Sequence, residues 1–395
     1  MNGFWKHNSF SRILLFLFIL FLPTQLGKHF FFDFSYLSGV RVDYLAPTIY
    51  VTDILAFILI FLNLKSLLEF FRNKKILTLL FILFLDILIS QFPPVSMYRY
   101  IKIIEFIGII FIFRQARLSK RLLLLGLLIG GIFEFSLSLA QFVNKHSLQG
   151  LFYFFGERRL DLSLPGIAKA SLAGVEILRP YGTFSHPNSM AGFYLLVYFF
   201  LLSRKKFGNS LLKNSLLLIS SLLIFLSFSK TAIIFYIILN FIYLWRSPLI
   251  KTCKLCLISR IFVLSIVSLV FLQATTDPLT IQKRLQLMQN ALLIIAKRPL
   301  FGVGLGNYLL AQQQFPQRFA DFLNQPVHNI FLLLLSEIGI AITAALYFIF
   351  RKEFKIAFKN SPYIFLVVLL TGLFDHYWLT LQQNFLLIGL ILGVL

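Results

Sequence analysis

Residues 122–143 read LLLLGLLIGGIFEFSLSLAQFV, a run of 22 residues in which Glu134 is the single charged side chain. The hydrocarbon core of a bilayer is about 30 Å thick, and a helix needs about 20 mostly apolar residues to cross it. A run of this length and polarity predicts a transmembrane helix. The same test, applied to the rest of the chain, gives the fold class.

The overall composition agrees with a membrane protein. Of the 395 residues, 58% are hydrophobic and only 13% are charged, whereas soluble domains average about 25% charged residues. A water-soluble enzyme is excluded because no soluble fold buries that much apolar surface, and disorder is excluded because it requires low hydrophobicity. The two cysteines, Cys253 and Cys256, form one CxxC pair without a second pair, so neither a metal site nor a disulfide framework is expected there.

The chain is predicted to be an all-α polytopic membrane protein, with residues 1–395 forming a single integral membrane domain of about 12 transmembrane helices. The predicted spans are 11–27, 48–64, 76–92, 98–114, 122–143, 189–203, 211–228, 231–245, 257–273, 329–350, 362–376 and 379–395. The first span lacks a small-residue cleavage site and is expected to be retained as a helix.

The basic residues predict the orientation of these spans. With the N-terminus inside, each of the five inner loops carries four Lys or Arg residues, and 22 of the 37 basic residues lie on the cytoplasmic side. This is the distribution that the positive-inside rule describes. Because topology explains most of the net charge of +22, no nucleic-acid partner is expected.

Two connections on the outer side are long, residues 144–189 and residues 274–328. Loops longer than about 12–15 residues are usually functional or disordered, and the aromatic, Pro and Gly residues in both loops indicate folded structure. In the second loop, apolar residues at positions 281, 285, 288, 292 and 295 have the spacing of an amphipathic helix. Two extracytoplasmic loops, the second partly helical, are therefore expected over the outer face.

The first of these loops ends in RPYGTFSHPNSMA, residues 179–191. Pro187 followed by Asn188 and Ser189 predicts a helix start, since Asn and Ser cap free amides. Helix N-termini also favour anions, and Arg179 and His186 lie just before this one. The pattern is therefore open to two interpretations, a helix cap with an interfacial Arg or part of an anion site.

Further cations and one histidine fall on the same predicted outer face. Lys230 follows Ser229 in a short outer turn, while Arg284 and Arg298 lie in the second outer loop. His328 precedes another span, and histidine suits general-base chemistry because its ordinary pKa lies near neutrality. Each residue alone is explained as an interfacial group, but together they indicate a site for a pyrophosphate attached to a lipid.

The segment Gly302-Val303-Gly304-Leu305-Gly306 follows Arg298 and Pro299. A nucleotide-binding interpretation is rejected because no strand precedes the glycines and they face the side without nucleotide. Two interpretations stay open, a flexible turn back to the membrane or a close approach of the backbone to a phosphate or sugar. Asp375 and His376, near the last outer turn, are spare candidates for the site.

In its spans, its large outer loop and four local signatures, the chain resembles the O-antigen ligase and polymerase superfamily of bacterial envelope glycosyltransferases. The signatures are residues 179–191, Ser229-Lys230, residues 284–308 and His328-Asn329. The resemblance implies transfer of a glycan from an undecaprenyl-pyrophosphate carrier, on the outer face of the bacterial inner membrane, with no nucleotide, no cofactor and no obligatory metal.

By the same resemblance, His328 is the base that deprotonates the acceptor hydroxyl, and Arg284 holds the pyrophosphate. Arg179 matches an arginine of the first loop in the family, whereas Lys230 stands where the family usually has Arg. Lysine keeps the charge but loses the forked geometry of arginine. Arg179, His186, Asn188, Lys230 and Arg298 are thus expected to bind substrate, with no metal ligands among them.

Several functions remain open at this stage. The acceptor is lipid A-core for a ligase, a lipid-linked repeat unit for a polymerase, or a protein hydroxyl for an O-glycosylating enzyme. A transporter of lipid-linked sugars is disfavoured because transporters place charges at mid-membrane in broken helices. Here the interior acids Asp53, Asp86, Glu105 and Glu134 are expected to be scattered, and the suggestive cations lie outside. The partners expected are the lipid-linked donor, a lipid or glycan acceptor and membrane lipids.

Overall fold

The structure is a computed structural model that describes residues 9–116, 118–172, 174–204, 207–246, 264–265, 268–269, 271–273, 279–316, 318–319 and 324–395. The CxxC pair, most of the predicted span 257–273 and parts of the predicted second outer loop lie outside these residues.

Within the described residues the protein is mostly helical. The helices are α1 Ser9–Phe21, α2 Val51–Leu62, α3 Leu64–Phe71, α4 Lys74–Ile89, α5 Pro93–Gln115, α6 Lys120–Asn144, α7 Pro187–Leu202, α8 Ser210–Leu226, α9 Lys230–Arg246, α10 Thr280–Lys297, α11 Tyr308–Gln312, α12 Ile330–Asn360, α13 Pro362–Gly372, α14 Tyr377–Thr380 and α15 Gln382–Val394. Every predicted span other than 257–273 overlaps one of these helices.

The described chain also contains strands, which corrects the all-α prediction. They are β1 Gly27–His29, β2 Tyr36–Leu37, β3 Val40–Arg41, β4 Thr48–Tyr50, β5 Lys169–Leu172 and β6 Val175–Leu178. They form three antiparallel pairs, β1 with β4, β2 with β3 and β5 with β6. All three pairs lie in connections between apolar helices, where the chain is free of the requirement that lipid places on backbone hydrogen bonding.

Two described helices, α6 and α12, are long and apolar enough to cross a bilayer. The pair α2 and α3, bent by 86°, is a third candidate if the two helices count as one span. Several other apolar helices are shorter, and the count of twelve spans stays a prediction.

Helix α7 lies at the centre of the apolar core. It packs against α8, α9, α13 and α15, and Phe193, Leu195 and Phe199 are fully buried. A helix that is apolar on all sides is typical of the interior of a large helical assembly. The polar residues at the start of α7 therefore stand on a helix that is enclosed along most of its length.

A third folded connection, residues 22–50, lies between α1 and α2 and was not among the long loops predicted. It carries the β1–β4 and β2–β3 pairs, and its Leu37 and Val42 share an apolar cluster with Val303 and Val327. The predicted first span, 11–27, is six residues longer than the helix at its C-terminal end because Pro23 interrupts the apolar run.

Helix α12 is broken at Gly339, whose φ is 68° and ψ is 178°. The segment after α10 inserts its backbone into this break. The N–H groups of Val303 and Gly304 donate to the carbonyls of Ser336 and Glu337, at 3.0 and 2.7 Å. In return, the N–H groups of Ile340 and Ala341 donate to the carbonyls of Pro299 and Leu300, at 2.8 and 2.9 Å. The loop thereby satisfies backbone groups that the break leaves without helical partners.

This contact explains the glycines between residues 302 and 306. A Cβ on Gly302 would lie 2.4 Å from the Glu337 carbonyl oxygen, and one on Gly304 would lie 2.1 Å from the Ser90 Cβ. Both residues also have positive φ, which glycine adopts at no steric cost. The glycines thus approach the protein's own backbone and side chains, which neither of the two open interpretations included.

We expect Gly302→Ala to destabilise the protein more than Gly166→Ala. Both glycines have positive φ, but nothing lies within 4 Å of a Cβ at Gly166, so the matched substitution isolates the clash with α12. Overpacking of this kind costs about 1–3 kcal/mol, which the midpoints of thermal unfolding of the purified variants would reveal. Equal midpoints for the two variants would contradict the docking of this loop into the helix break.

Candidate functional site

The segment before α7 is fixed by polar side chains of α6. The side-chain oxygen of Gln141 accepts from the N–H groups of Tyr181 and Gly182, at 3.0 and 2.9 Å. Glu134 accepts from the N–H of Thr183 at 2.8 Å. Since residues seven apart lie on one face of a helix, Glu134 and Gln141 hydrogen-bond to consecutive residues of the loop from the same side.

The sequence predicted the start of α7 correctly, but its cap is His186 and not Asn188 or Ser189. Pro187 is the first helical residue, and the Nδ1 atom of His186 accepts from the N–H of Asn188 at 3.1 Å. Because His186 performs the capping, the Asn188 side chain is available elsewhere. Its oxygen accepts from Nη2 of Arg179 at 2.6 Å, and its nitrogen donates to Oδ2 of Asp375 at 2.9 Å.

The carboxylate of Asp375 connects the other residues of the site. Its Oδ1 lies 3.4 Å from Nδ1 of His328 and accepts from the backbone N–H of His376 at 2.9 Å. The rings of His328 and His376 are 5.1 Å apart between centroids. Asn329 fixes His328 from the next position, since its side chain caps α12 and also donates to the Leu373 carbonyl.

Some of the predicted cations lie at the site and others lie away from it. Arg179 is 8% exposed and also donates from Nε to the Ser227 carbonyl at 3.1 Å, and Arg284 donates to the Phe374 carbonyl at 3.3 Å. Lys230 is exposed at the start of α9, close in sequence to Ser227. Arg298 is exposed at the end of α10, about 21 Å along the helix from Arg284 at 1.5 Å per residue. The structure thus brings Arg179 and Arg284 to the site, whereas Lys230 and Arg298 have exposed side chains without a contact to these site residues in the described part of the chain.

The electrostatics of the site favour an ionised Asp375. Burial raises the pKa of Asp375, but His328, His376 and Arg284 outweigh burial and hold that pKa well below its ordinary value. Burial lowers the pKa of His376 to about 3, and it lowers the pKa of His186 well below its ordinary value. Burial lowers the pKa of Arg179 to about 10, with a further contribution from Arg284, so Arg179 remains a cation at neutral pH.

Among the described residues, His328, Asp375 and His376 also have ligand atoms within 4.8 Å of one another, close enough for a metal ion. Their other contacts fit acid–base chemistry better. Both oxygens of Asp375 accept hydrogen bonds, and Nδ1 of His376 lies 2.7 Å from the Thr380 hydroxyl. Arg179 and Arg284 already supply positive charge, which disfavours a further cation.

The interior carboxylates are not all scattered, which corrects one sequence expectation. Lys102 pairs with Asp53 and lies 3.6 Å from Glu105, and the Gln382 amide donates to both carboxylates. Asp86 lies apart and accepts from the N–H of Leu305. Glu134 serves the segment before α7, as described above. The sequence separates Asp53, Glu105 and Gln382 too widely for any local pattern to predict their meeting.

Asp375, Gln141 and Thr380 are the site residues that the sequence did not single out for a role. From the sequence, Asp375 is only a spare candidate, like its neighbour His376. Gln141 lies inside a transmembrane run, and a polar side chain in such a run is a signal for a buried hydrogen bond.

The fold and the site together define a class of protein. It is a mostly helical protein with apolar helices, in which a histidine–carboxylate pair lies beside two arginines. Residues 215–348 match the O-antigen ligase family, and this match confirms the resemblance of the chain to the O-antigen ligase superfamily. It covers about a third of the chain, including Arg284 and His328, and leaves Arg179 and Asp375 outside. The match supports activity of the ligase or polymerase type at a membrane. A comparison with curated proteins found no match.

The buried, neutral His376 predicts a loss of stability in acid. The unfolded chain takes up a proton at this histidine below about pH 6.5, whereas the folded protein does so only near pH 3. Stability therefore falls as the pH drops through this window, and one such group contributes a loss of about 2 kcal/mol between pH 7 and pH 5. Thermal unfolding of the purified protein at pH 7, 6 and 5 would measure it.

The matched variants for this measurement are His376→Gln and His146→Gln. His146 is exposed, so its replacement should leave the pH dependence of unfolding as in the unaltered protein, while His376→Gln should weaken that dependence. A wild-type dependence in His376→Gln would show that this histidine is not the acid-sensitive group.

Proposed function

We propose that this protein transfers a glycan from an undecaprenyl-pyrophosphate carrier to an acceptor hydroxyl on the outer face of the bacterial inner membrane. The observation that carries the proposal is the convergence of the His328–Asp375 pair with Arg179 and Arg284 around one point. The family match supports the general type of activity, and the residues of the site support the finer assignment.

The donor's pyrophosphate suits the arginine side of the site. Guanidinium groups bind phosphate oxygens through paired hydrogen bonds, and Arg179 is oriented by Asn188 and the Ser227 carbonyl. Arg284 is carried by α10, whose Ile281, Leu285 and Leu292 are exposed. An exposed apolar stripe beside a cation is typical of a helix at a membrane surface, where the headgroup of a lipid carrier lies.

The His328–Asp375 pair suits the acceptor. Asp375 Oδ1 lies 3.4 Å from Nδ1 of the imidazole, and in the proposed mechanism Nε2 takes the proton of the acceptor hydroxyl. The acceptor oxygen then forms a bond to the anomeric carbon of the donor, and the bond from that carbon to the phosphate oxygen breaks. Its electron pair leaves with undecaprenyl pyrophosphate, whose negative charge the arginines stabilise. A single displacement of this kind inverts the anomeric centre.

The proposed chemistry is metal-independent because protein cations occupy the role that a divalent ion has in many phosphate-transfer sites. A polymerase that extends lipid-linked repeat units would use the same residues with a different acceptor. A lipid-linked sugar transporter is the less favoured alternative, since the charged side chains at the outer ends of α2 and α5 pair with each other and the arginines lie beside the proposed base.

We expect His328→Ala to reduce glycan transfer by a factor of about 10²–10⁴, the usual contribution of a general base. The assay uses purified protein, a synthetic undecaprenyl-pyrophosphate glycan and candidate acceptors, with and without EDTA. The exposed His146→Ala is the matched control and should retain activity. Transfer at the wild-type rate by His328→Ala would remove the base from the mechanism, and loss of activity with EDTA would remove its metal independence.

Arg284→Ala should lose far more activity than Arg284→Lys, because lysine retains the charge that the pyrophosphate requires while giving up the paired geometry. Steady-state rates at varied donor concentration would separate weaker donor binding from slower transfer. Arg298→Ala is the control, since that residue lies far from the site along α10. A larger loss for Arg298→Ala than for Arg284→Ala would place the pyrophosphate elsewhere.

A further inference from the structure

An open cavity of about 360 Å³ lies between the start of α4 and the second half of α12. Ligand pockets are typically about 300–1,000 Å³, so the space is large enough for a small ligand group. Helix α4 begins at the cavity and extends about 24 Å away from it. Just past its other end, the N–H of Gln91 donates to the Val303 carbonyl at 2.8 Å, and His328 precedes the other end of α12. The cavity is therefore distinct from the candidate site.

Four cations line this cavity, Lys74 and Lys75 from α4 and Arg351 and Lys352 from α12. Within the described residues, the ion pair found among them joins Lys75 to Glu353, so positive charge remains in excess. Like charges held this close together repel one another. A negatively charged ligand in the cavity would offset that repulsion.

Membrane topology explains part of this charge but not its arrangement. The positive-inside rule accounts for basic residues in the predicted inner loops, and both segments belong to such loops. The rule does not require that two loops more than 250 residues apart in the chain place their cations around one cavity. Ammonium groups attract a phosphate as point charges, and the Arg351 guanidinium can bind two of its oxygens at once. This combination of donors therefore favours a phosphate.

The apolar surface beside the cavity indicates which phosphate compound fits. Leu77 and Phe81 of α4 and Tyr347 and Phe348 of α12 have exposed side chains, and Phe348 also lines the cavity. A soluble anion would leave this surface unused. A phospholipid with its phosphate among the cations would place its acyl chains along it. Basic pockets between membrane helices on the cytoplasmic side are typical sites for anionic lipid headgroups.

The last turns of α12 also have the character of a membrane surface. Phe354, Ile356 and Phe358 are exposed next to the exposed Lys355 and Lys359. Exposed apolar and basic side chains on one helical segment are typical of a helix in the headgroup region. On the other side of the cavity, α3 leads into α4 and is bent by 86° from α2. Both neighbouring segments thus favour a cavity at the level of the lipid headgroups.

We propose that this cavity binds the phosphate of an anionic phospholipid of the inner leaflet, with the acyl chains along the exposed apolar side chains of α4 and α12. The site does not depend on the proposed transferase chemistry. The lipid neutralises cations that otherwise repel one another, and it links α4 to α12 at the end opposite to the segment of residues 302–306. It therefore stabilises the helix pair that holds this segment.

The test compares Lys74→Gln/Lys352→Gln with Arg121→Gln/Arg246→Gln in the purified full-length protein. Each double variant removes two exposed cations. The first pair lines the cavity, whereas the second pair lies on α6 and α9. The midpoint of thermal unfolding is followed in a neutral detergent while phosphatidylglycerol is added. We expect the lipid to raise the midpoint of the unaltered protein by about 3 °C or more.

The lipid concentration that gives half of this rise is the quantity compared. It should increase about tenfold or more in Lys74→Gln/Lys352→Gln and stay unchanged in Arg121→Gln/Arg246→Gln. Lys74→Arg/Lys352→Arg retains both charges and should respond to the lipid as the unaltered protein does. An unchanged response of Lys74→Gln/Lys352→Gln, or an equal loss in Arg121→Gln/Arg246→Gln, would overturn the site.

The midpoints without lipid show whether the variant is folded. In detergent alone, Lys74→Gln/Lys352→Gln should unfold at the same temperature as the unaltered protein or at a higher one, because it relieves the repulsion between the cations. A lower midpoint would contradict the excess of positive charge on which the proposal rests.

Other additives identify the chemistry of the ligand. Phosphatidylcholine supplies acyl chains without net charge, and sodium phosphate supplies charge without acyl chains, so neither should raise the midpoint at the same concentration. An equal rise with phosphatidylcholine would show that the cations are not used, and an equal rise with sodium phosphate would make the ligand a soluble anion. Arg284→Ala, at the candidate site, should keep the response to phosphatidylglycerol. Loss of the response in Arg284→Ala would place the lipid at the candidate site and overturn the proposal.

Discussion

The candidate site depends on the buried carboxylate of Asp375. It lies between α13 and α14 and contacts His328 at the start of α12, Asn188 at the start of α7 and the backbone of His376. A buried carboxylate requires partners because desolvation disfavours its charge. The partners that satisfy it here include His328 and Asn188, so in the proposed mechanism the same contacts stabilise the negative charge and position the base.

The start of α7 shows how such an arrangement is made rigid. Most of α7 is enclosed by apolar neighbours, and the preceding loop is held by Gln141 and Glu134 through backbone N–H groups. Arg179 and Asn188 therefore extend from a fixed frame. A preformed cation costs little reorganisation when negative charge develops beside it, as it does on the departing pyrophosphate of the proposed reaction.

The sequence was sufficient for the features that a local pattern records. Apolar runs predicted the helices, the periodicity of residues 281–295 predicted α10, and Pro187 predicted the start of α7. It was not sufficient where distant residues meet, as with Asp375 and His328 or with Asp53, Glu105 and Lys102. The pattern also did not predict which face of α10 is buried. Leu287 and Ala291 are buried, while the predicted stripe at Ile281 and Leu285 is exposed. An apolar stripe does not decide this, because neighbouring protein and lipid both accept apolar surface.

The exchange of backbone hydrogen bonds at Gly339 has a consequence for how this architecture can vary. Each of the two segments in that contact supplies hydrogen-bond donors and acceptors to the other, so the segment after α10 and the middle of α12 form one structural unit. The large loop consequently cannot be exchanged by itself. A chimera that imports another protein's loop between α9 and α12 would have to import residues 336–341 with it.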